Sequence, residues 1–183
     1  TLDKHQHAEN RGLSTHDTFI ITQDAAEWAL ECLAAVFAHT DPADYGLYLV
    51  NDGSTAETLR ALRAAVRGRP NVYLVNFDGA RSFGGYTKAA NAGIRAAQGE
   101  DPDVATPPAP YRAFCFLNSD TVVLGPSWLR ALAAGAAASP AIGLVGPLSN
   151  AASYQSVPTL KAGSDWSTNP LPDGWTAADV AGA

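Results

Sequence analysis

The run Phe114-Cys-Phe-Leu-Asn-Ser-Asp-Thr-Val-Val123 brings an apolar segment directly into Asn118, Ser119 and Asp120, and then turns apolar again. A carboxylate at the carboxyl end of a buried strand in an α/β sheet lies where such folds bind ligands, which makes Asp120 a candidate for holding a metal or a ligand. The alternative is a turn in which the Asn and Asp side chains only bond nearby backbone. Two further strand ends carry polar groups of the same kind, Asp24 just past the first strand and Asn51-Asp52 at the end of the second. In a doubly wound sheet such ends converge, and three separate loops then build one acidic crevice. That crevice suits a nucleotide diphosphate. One carboxylate accepts from a base or ribose group, while another holds Mg2+ or Mn2+ against the phosphates.

The elements that must position these residues follow from periodicity. Thr18–Thr22 has the β-branched and aromatic content of a short buried strand. A helical pattern from Ala25 to His39 follows, with Asp24 as its expected N-cap. Trp28, Cys32, Ala35 and Val36 fall at helical spacing on the face expected to pack on the sheet, which places Trp28 in the core. Tyr45 to Val50 is the second strand, and Ser54 or Thr55 can cap a helix carrying Leu59, Leu62 and Val66 until Gly68 and Pro70 stop it. Asn71 to Asn76 is a third strand, the segment from about Tyr86 to Ala97 a third helix, and Tyr111 to Leu117 a fourth strand. Between the last two, Gly99 to Pro110 reads as an exposed loop. Pro126 opens a further helix, Ala141 to Gly146 is expected as another strand, and a weak helical start remains from Ala177. Alternating strands and helices imply a parallel sheet with right-handed crossovers.

A chain of 183 residues suits one sizeable α/β domain, expected over 18–183 behind an exposed tail, 1–17, that holds His5, His7 and His16. A formal charge of −6 gives no electrostatic footprint for nucleic acid. No apolar run is long enough to span a bilayer, and no secretory leader is visible. Cys32 and Cys115 read as small core hydrophobes, in keeping with a reducing, cytoplasmic setting. Neither G-x-x-x-x-G-K-[ST] nor a G-x-G-x-x-G after the first strand is present, which argues against a P-loop or dinucleotide fold.

Four segments in order, Leu49-Val-Asn-Asp-Gly-Ser-Thr55, Gly85-Tyr-Thr-Lys-Ala-Ala-Asn-Ala-Gly-Ile94, Phe116-Leu-Asn-Ser-Asp-Thr-Val-Val123 and Val145-Gly-Pro-Leu-Ser-Asn-Ala-Ala-Ser153, resemble glycosyltransferase family 2. The resemblance runs from about Thr18 to Trp175 and implies the GT-A fold, a Rossmann-like three-layer α/β sandwich with a mostly parallel central sheet. It implies an inverting, metal-assisted transfer of a sugar from a nucleotide diphosphate sugar to a glycan or lipid-linked acceptor, at the inner face of the membrane or in the cytoplasm. Carried over by position, it sets Asp24, Asn51 and Asp52 around the nucleoside and Lys88 and Asn91 near the donor. Asp120 becomes the ligand of a divalent metal, Mn2+ or Mg2+, with Ser119 beside it. Asn118 stands where the family's D-x-D-like motif begins, a variant similar to rhamnosyl and related cell-surface polysaccharide transferases.

Two departures accompany the match. The family's first strand usually ends in Pro-x-Tyr-Asn, whereas Ile21-Thr-Gln-Asp24 puts Gln23 where an aromatic would lie against the base. Asp165, Asp173 and Asp179 sit in no motif matching the family's general base, which is expected beyond the end of this chain together with the acceptor half and any further domains. Other functions sharing the crevice are a noncatalytic sugar-nucleotide-binding module and a sugar nucleotidyltransferase. The latter needs a glycine-rich basic loop after the first strand, which Thr22 to Ala26 does not provide.

Overall fold

The computed structural model describes residues 16–22, 25–76, 85–104, 113–149, 151–152, 167–176 and 179. Contacts divide the chain into two compact units, Thr1–Val123 and Leu124–Ala183.

In the first unit, β1 (His16–Thr22), β2 (Tyr45–Asn51), β3 (Val72–Asn76) and β4 (Phe114–Asn118) form a parallel sheet in the order β3-β2-β1-β4. The helices between them are α1 (Ala26–His39), α2 (Ala56–Val66) and α3 (Gly85–Ala97). β1 starts two residues earlier than expected, so His16 and Asp17 pair with Tyr45 and Gly46 instead of belonging to a tail. Strand order fixes the layers. The steps β1 to β2 and β2 to β3 run in one direction and β3 to β4 runs back across the sheet, so right-handed crossovers put α1 and α2 on one face and α3 on the other. Accordingly α1 touches α2, and α3 packs on β1, β2 and β3.

Every residue of β2 is buried, as expected of a central parallel strand covered on both faces. Tyr48 and Val50 face α3 in a core with Val75, Ala89, Ala92, Ala96 and Ala97. The pleat therefore sends Leu47 and Leu49, both fully buried, to the opposite face. Tyr48 and Tyr73 are register partners whose rings stack with centroids 5.0 Å apart. At the opposite end of these strands, Asn71 Nδ2 donates to the carbonyls of Pro42 and Tyr45 at 3.3 and 3.2 Å, tying the start of β3 to that of β2. Arg69 places its guanidinium 3.5 Å from the ring centre of Phe37.

Local signals account for the helix ends. Thr55 caps α2 by accepting from Thr58 N at 3.3 Å. α3 closes in a Schellman turn, with Glu100 N donating to Arg95 O at 2.9 Å, Gly99 N donating to Ala96 O at 3.0 Å, and Gly99 at φ 75°. The expected loop after α3 is partly core. Asp101 accepts from Asp103 N through its side chain and from Val104 N through its carbonyl, and this turn drops Val104 among the α3 and sheet residues.

The second unit contains α4 (Trp128–Ala137) and a two-stranded antiparallel pair, β5 (Ala151–Ala152) with β6 (Ser167–Thr168). The strand expected over 141–146 does not form. Ile142 N closes a turn onto Ser139 O, the following residues carry no regular structure, and Leu144 is 92% exposed. The expected helical start at Ala177 falls mostly outside the described residues, although Asp179 accepts from Thr176 N and Oγ1 there.

Candidate functional site

Register levels the carboxyl ends of the strands. Thr22 pairs with Asn51, Asn51 with Asn76, and Ile21 with Asn118, so β1, β2, β3 and β4 deliver their last residues to one edge of the sheet. Because the chain leaves β1 toward β2 and later returns to its other side as β4, the gap between β1 and β4 is the topological switch point, where doubly wound sheets bind ligands. A crevice of about 650 Å³ opens there, lined by Ala25 and Trp28 from the start of α1, Tyr86 from the start of α3, and Asn118, Ser119 and Asp120 from the end of β4.

The β4 end is a turn, but not one closed by its polar side chains. Thr121 N donates to the Asn118 carbonyl at 3.1 Å, and the Cys32 thiol of α1 donates to the same carbonyl at 3.6 Å. The Asn118 carbonyl thus ties the turn to its own backbone and to the Cys32 side chain of α1. Among the described residues, the side chains of Asn118, Ser119 and Asp120 have no hydrogen-bonding partner, and they point their chemistry into the crevice. Burial pushes the Cys32 thiol up to about 11, with the nearby Asp120 charge acting in the same direction. Neutral and pinned, Cys32 braces the turn and offers no nucleophile. Burial also raises Cys115, to about 11.

At the end of β2, Asn51 is 1% exposed and spends its amide internally, donating to Asn76 Oδ1 and accepting from Ser54 N at 3.3 Å. This clamp sets the exit of β2, and Gly53 at φ 73° lets the chain turn into α2. Asp52, between them, is 4% exposed. It has neither a hydrogen bond nor an ion pair with another described residue, which is costly for a carboxylate unless a ligand or cation answers it. Lys88 and Asn91 are exposed on the first two turns of α3, and neither lines the crevice. Asp24 lies outside the described residues, so the cap of α1 is described only at Ala25, which makes no side-chain bond.

Trp28 corrects a sequence expectation. The buried face of α1 is Ala29, Cys32, Leu33 and Val36, leaving Ala35 half-buried and the Trp28 indole 57% exposed. The indole flanks the buried stripe and, in the first turn of the helix, overhangs the crevice. Tyr86, 51% exposed, is expected from the sequence only as the start of a helix and is found lining the crevice. The signal for both was position: each opens the helix that follows a strand end. Among the described residues no three His, Cys, Asp or Glu side chains gather to hold a metal together. The crevice does present hard oxygen donors, the Asp120 carboxylate, the Asn118 amide oxygen and the Ser119 hydroxyl. That set fits Mg2+ or Mn2+, which take one or two carboxylates and complete their shells with substrate phosphate and water.

A parallel sheet with helices on both faces and a crevice at its switch point is a doubly wound α/β arrangement, in which Asp120 is the one described carboxylate lining the crevice and Asp52 does not join it. The model of "Glycosyl transferase family 2" matches residues 17–164, and the chain belongs to that family. Among solved structures, S. aureus TarS 1–349 is similar at a TM-score of 0.52 and 18% identity, over 76% of this chain and 41% of that one. The same protein in complex with UDP-GlcNAc gives 0.52 and 17%, over 75% and 39%. A further S. aureus TarS structure gives 0.51 and 19%, over 68% and 20%. The family match and the structural likenesses make the arrangement one of the GT-A type. This chain therefore spans about two fifths of the length of TarS 1–349. No curated protein matches it. No described helix is long and apolar enough to cross a membrane.

Proposed function

We propose that this chain is the donor-binding portion of an inverting glycosyltransferase that moves a sugar from a nucleotide diphosphate sugar to a glycan or lipid-linked acceptor, in the cytoplasm or at the inner membrane face. The observation that carries this reading is the crevice at the switch point, with three unpartnered polar side chains of the β4 turn directed into it, in a chain of glycosyl transferase family 2. The UDP-GlcNAc complex of the structurally similar TarS supports a nucleotide-sugar ligand.

Asp120 anchors the diphosphate end, where a bound divalent cation supplies Lewis-acid stabilisation of the leaving group. Asn118 replaces a second carboxylate with a neutral amide, lowering repulsion toward the diphosphate while keeping an oxygen donor. Asp52 accepts from the nucleoside, and Asn51 positions it by closing the β2 exit. Exposed Lys88 offers a cation to the phosphates, and Asn91 and Asp24 complete the donor surroundings. In the transfer, the acceptor oxygen bonds to the anomeric carbon as the bond to the diphosphate oxygen breaks. The electron pair leaves with the nucleoside diphosphate, and the acceptor proton passes to a carboxylate base outside the residues assigned so far.

Calorimetric titration with UDP, dTDP and GDP, each with and without Mn2+, tests the reading. Saturable binding of one nucleotide, strengthened by Mn2+, is expected; no binding by any of them contradicts it.

A further inference from the structure

The crevice holds an aromatic feature that the nucleotide and metal roles leave unused. Trp28 overhangs it with more than half its surface exposed, and among the described residues its indole makes no hydrogen bond and no ring contact. Ligand sites commonly pair an apolar or aromatic wall with a few placed polar groups. Here the wall is the Trp28 indole, extended by Tyr86, and the polar groups are the Asn118 amide and the Ser119 hydroxyl.

We propose that Trp28 is a stacking platform for a hexopyranose ring, and so a specificity-determining residue of the site; this rests on the glycosyltransferase reading above. A pyranose chair has one face of C–H groups and a rim of hydroxyls. The C–H face matches the flat indole, and the rim matches an amide that both donates and accepts next to a hydroxyl. A nucleobase is the other flat ligand in such a donor. It fits less well, because Asp52, which faces the nucleoside in this reading, ends a different strand and is not part of the crevice lining, whereas Asp120 at the diphosphate end shares it with Trp28. Next to the diphosphate lies the sugar. Truncating an indole that is mostly exposed removes little core, so variants at this position keep the fold.

The test is calorimetry on the full chain, its Trp28→Ala variant and its Trp28→Phe variant, in Mn2+. The probes are UDP, dTDP and GDP, the conjugates UDP-glucose, UDP-N-acetylglucosamine, dTDP-rhamnose and GDP-mannose, and the free sugars methyl glucoside and methyl rhamnoside. Trp28→Ala is expected to weaken the bound nucleotide sugar roughly tenfold while leaving the matching nucleoside diphosphate within about twofold, and Trp28→Phe to recover most of the loss. A loss confined to the free sugars keeps the platform and assigns it to the acceptor sugar. Equal losses for nucleotide and nucleotide sugar overturn the proposal in favour of base stacking, and so does an unchanged Trp28→Ala or an absence of rescue by Phe. If the parent binds nucleotides normally and only these ratios fail, the platform alone is wrong. If the parent binds neither nucleotides nor sugars, both readings fall together.

Discussion

Asp52 and Asp120 are both strand-end carboxylates, but the structure gives them opposite surroundings. Asp52 is buried at 4% exposure with no described partner, whereas Asp120 is exposed in the crevice beside Asn118. Asp52→Asn is expected to weaken nucleotide binding in calorimetric titration, with Mn2+ affinity unchanged. A variant that loses Mn2+ and keeps the nucleotide would reverse the two roles. Most of these side chains were legible in the sequence because polar residues that interrupt an apolar strand advertise a sheet edge. What was not legible was their state. The identity of Asn51 says nothing of the internal clamp that occupies it, since its partner Asn76 lies on another strand. Trp28 was misplaced because one residue separates a helix's buried stripe from its flank, about 100° of rotation, and apolar spacing alone does not resolve it.

Elements were read well wherever local chemistry decides them. The βαβ alternation, a cap at Ser54 or Thr55 that falls to Thr55, and the stop of α2 at Gly68 are signals that the structure repeats. Thr55→Ala is expected to cost about 1 kcal/mol in urea unfolding, the usual loss of an N-cap that satisfies a backbone donor. The segment 141–146 failed because a short apolar run contains no information about whether a neighbouring strand exists, and strand formation depends on that neighbour. A pH effect belongs to the packing of α1 and β4. The thiols of Cys32 and Cys115 are both raised to about 11 from an ordinary value of 9.0. Between those values the unfolded chain has released protons that the native chain still binds, so stability falls as pH rises from about 9 to about 11 and is unaffected by these groups below that range. Denaturation midpoints across this window should decline less steeply in Cys32→Ala/Cys115→Ala than in the parent, and parallel declines would contradict the assignment.

At the scale of the whole molecule, one topological fact organises the site: strand order β3-β2-β1-β4 makes the chain reverse direction across β1, and the reversal opens a crevice where β4 ends at Asn118 and runs into Ser119 and Asp120. Family membership extends over residues 17–164, which reach from the sheet into the second unit, while the transfer chemistry itself is proposed from the crevice outward. The central claim is that this crevice holds a nucleotide diphosphate through a divalent cation on Asp120. A ligand that binds only the native state raises its melting temperature by mass action, which makes the claim measurable without knowing the sugar or the acceptor. The decisive measurement is thermal unfolding of the parent and Asp120→Ala with the nucleotide the parent binds, each with and without Mn2+. The account predicts a nucleotide-dependent rise in Tm that Mn2+ enlarges in the parent and leaves unchanged in Asp120→Ala. An equal Mn2+-linked rise in both proteins would contradict it.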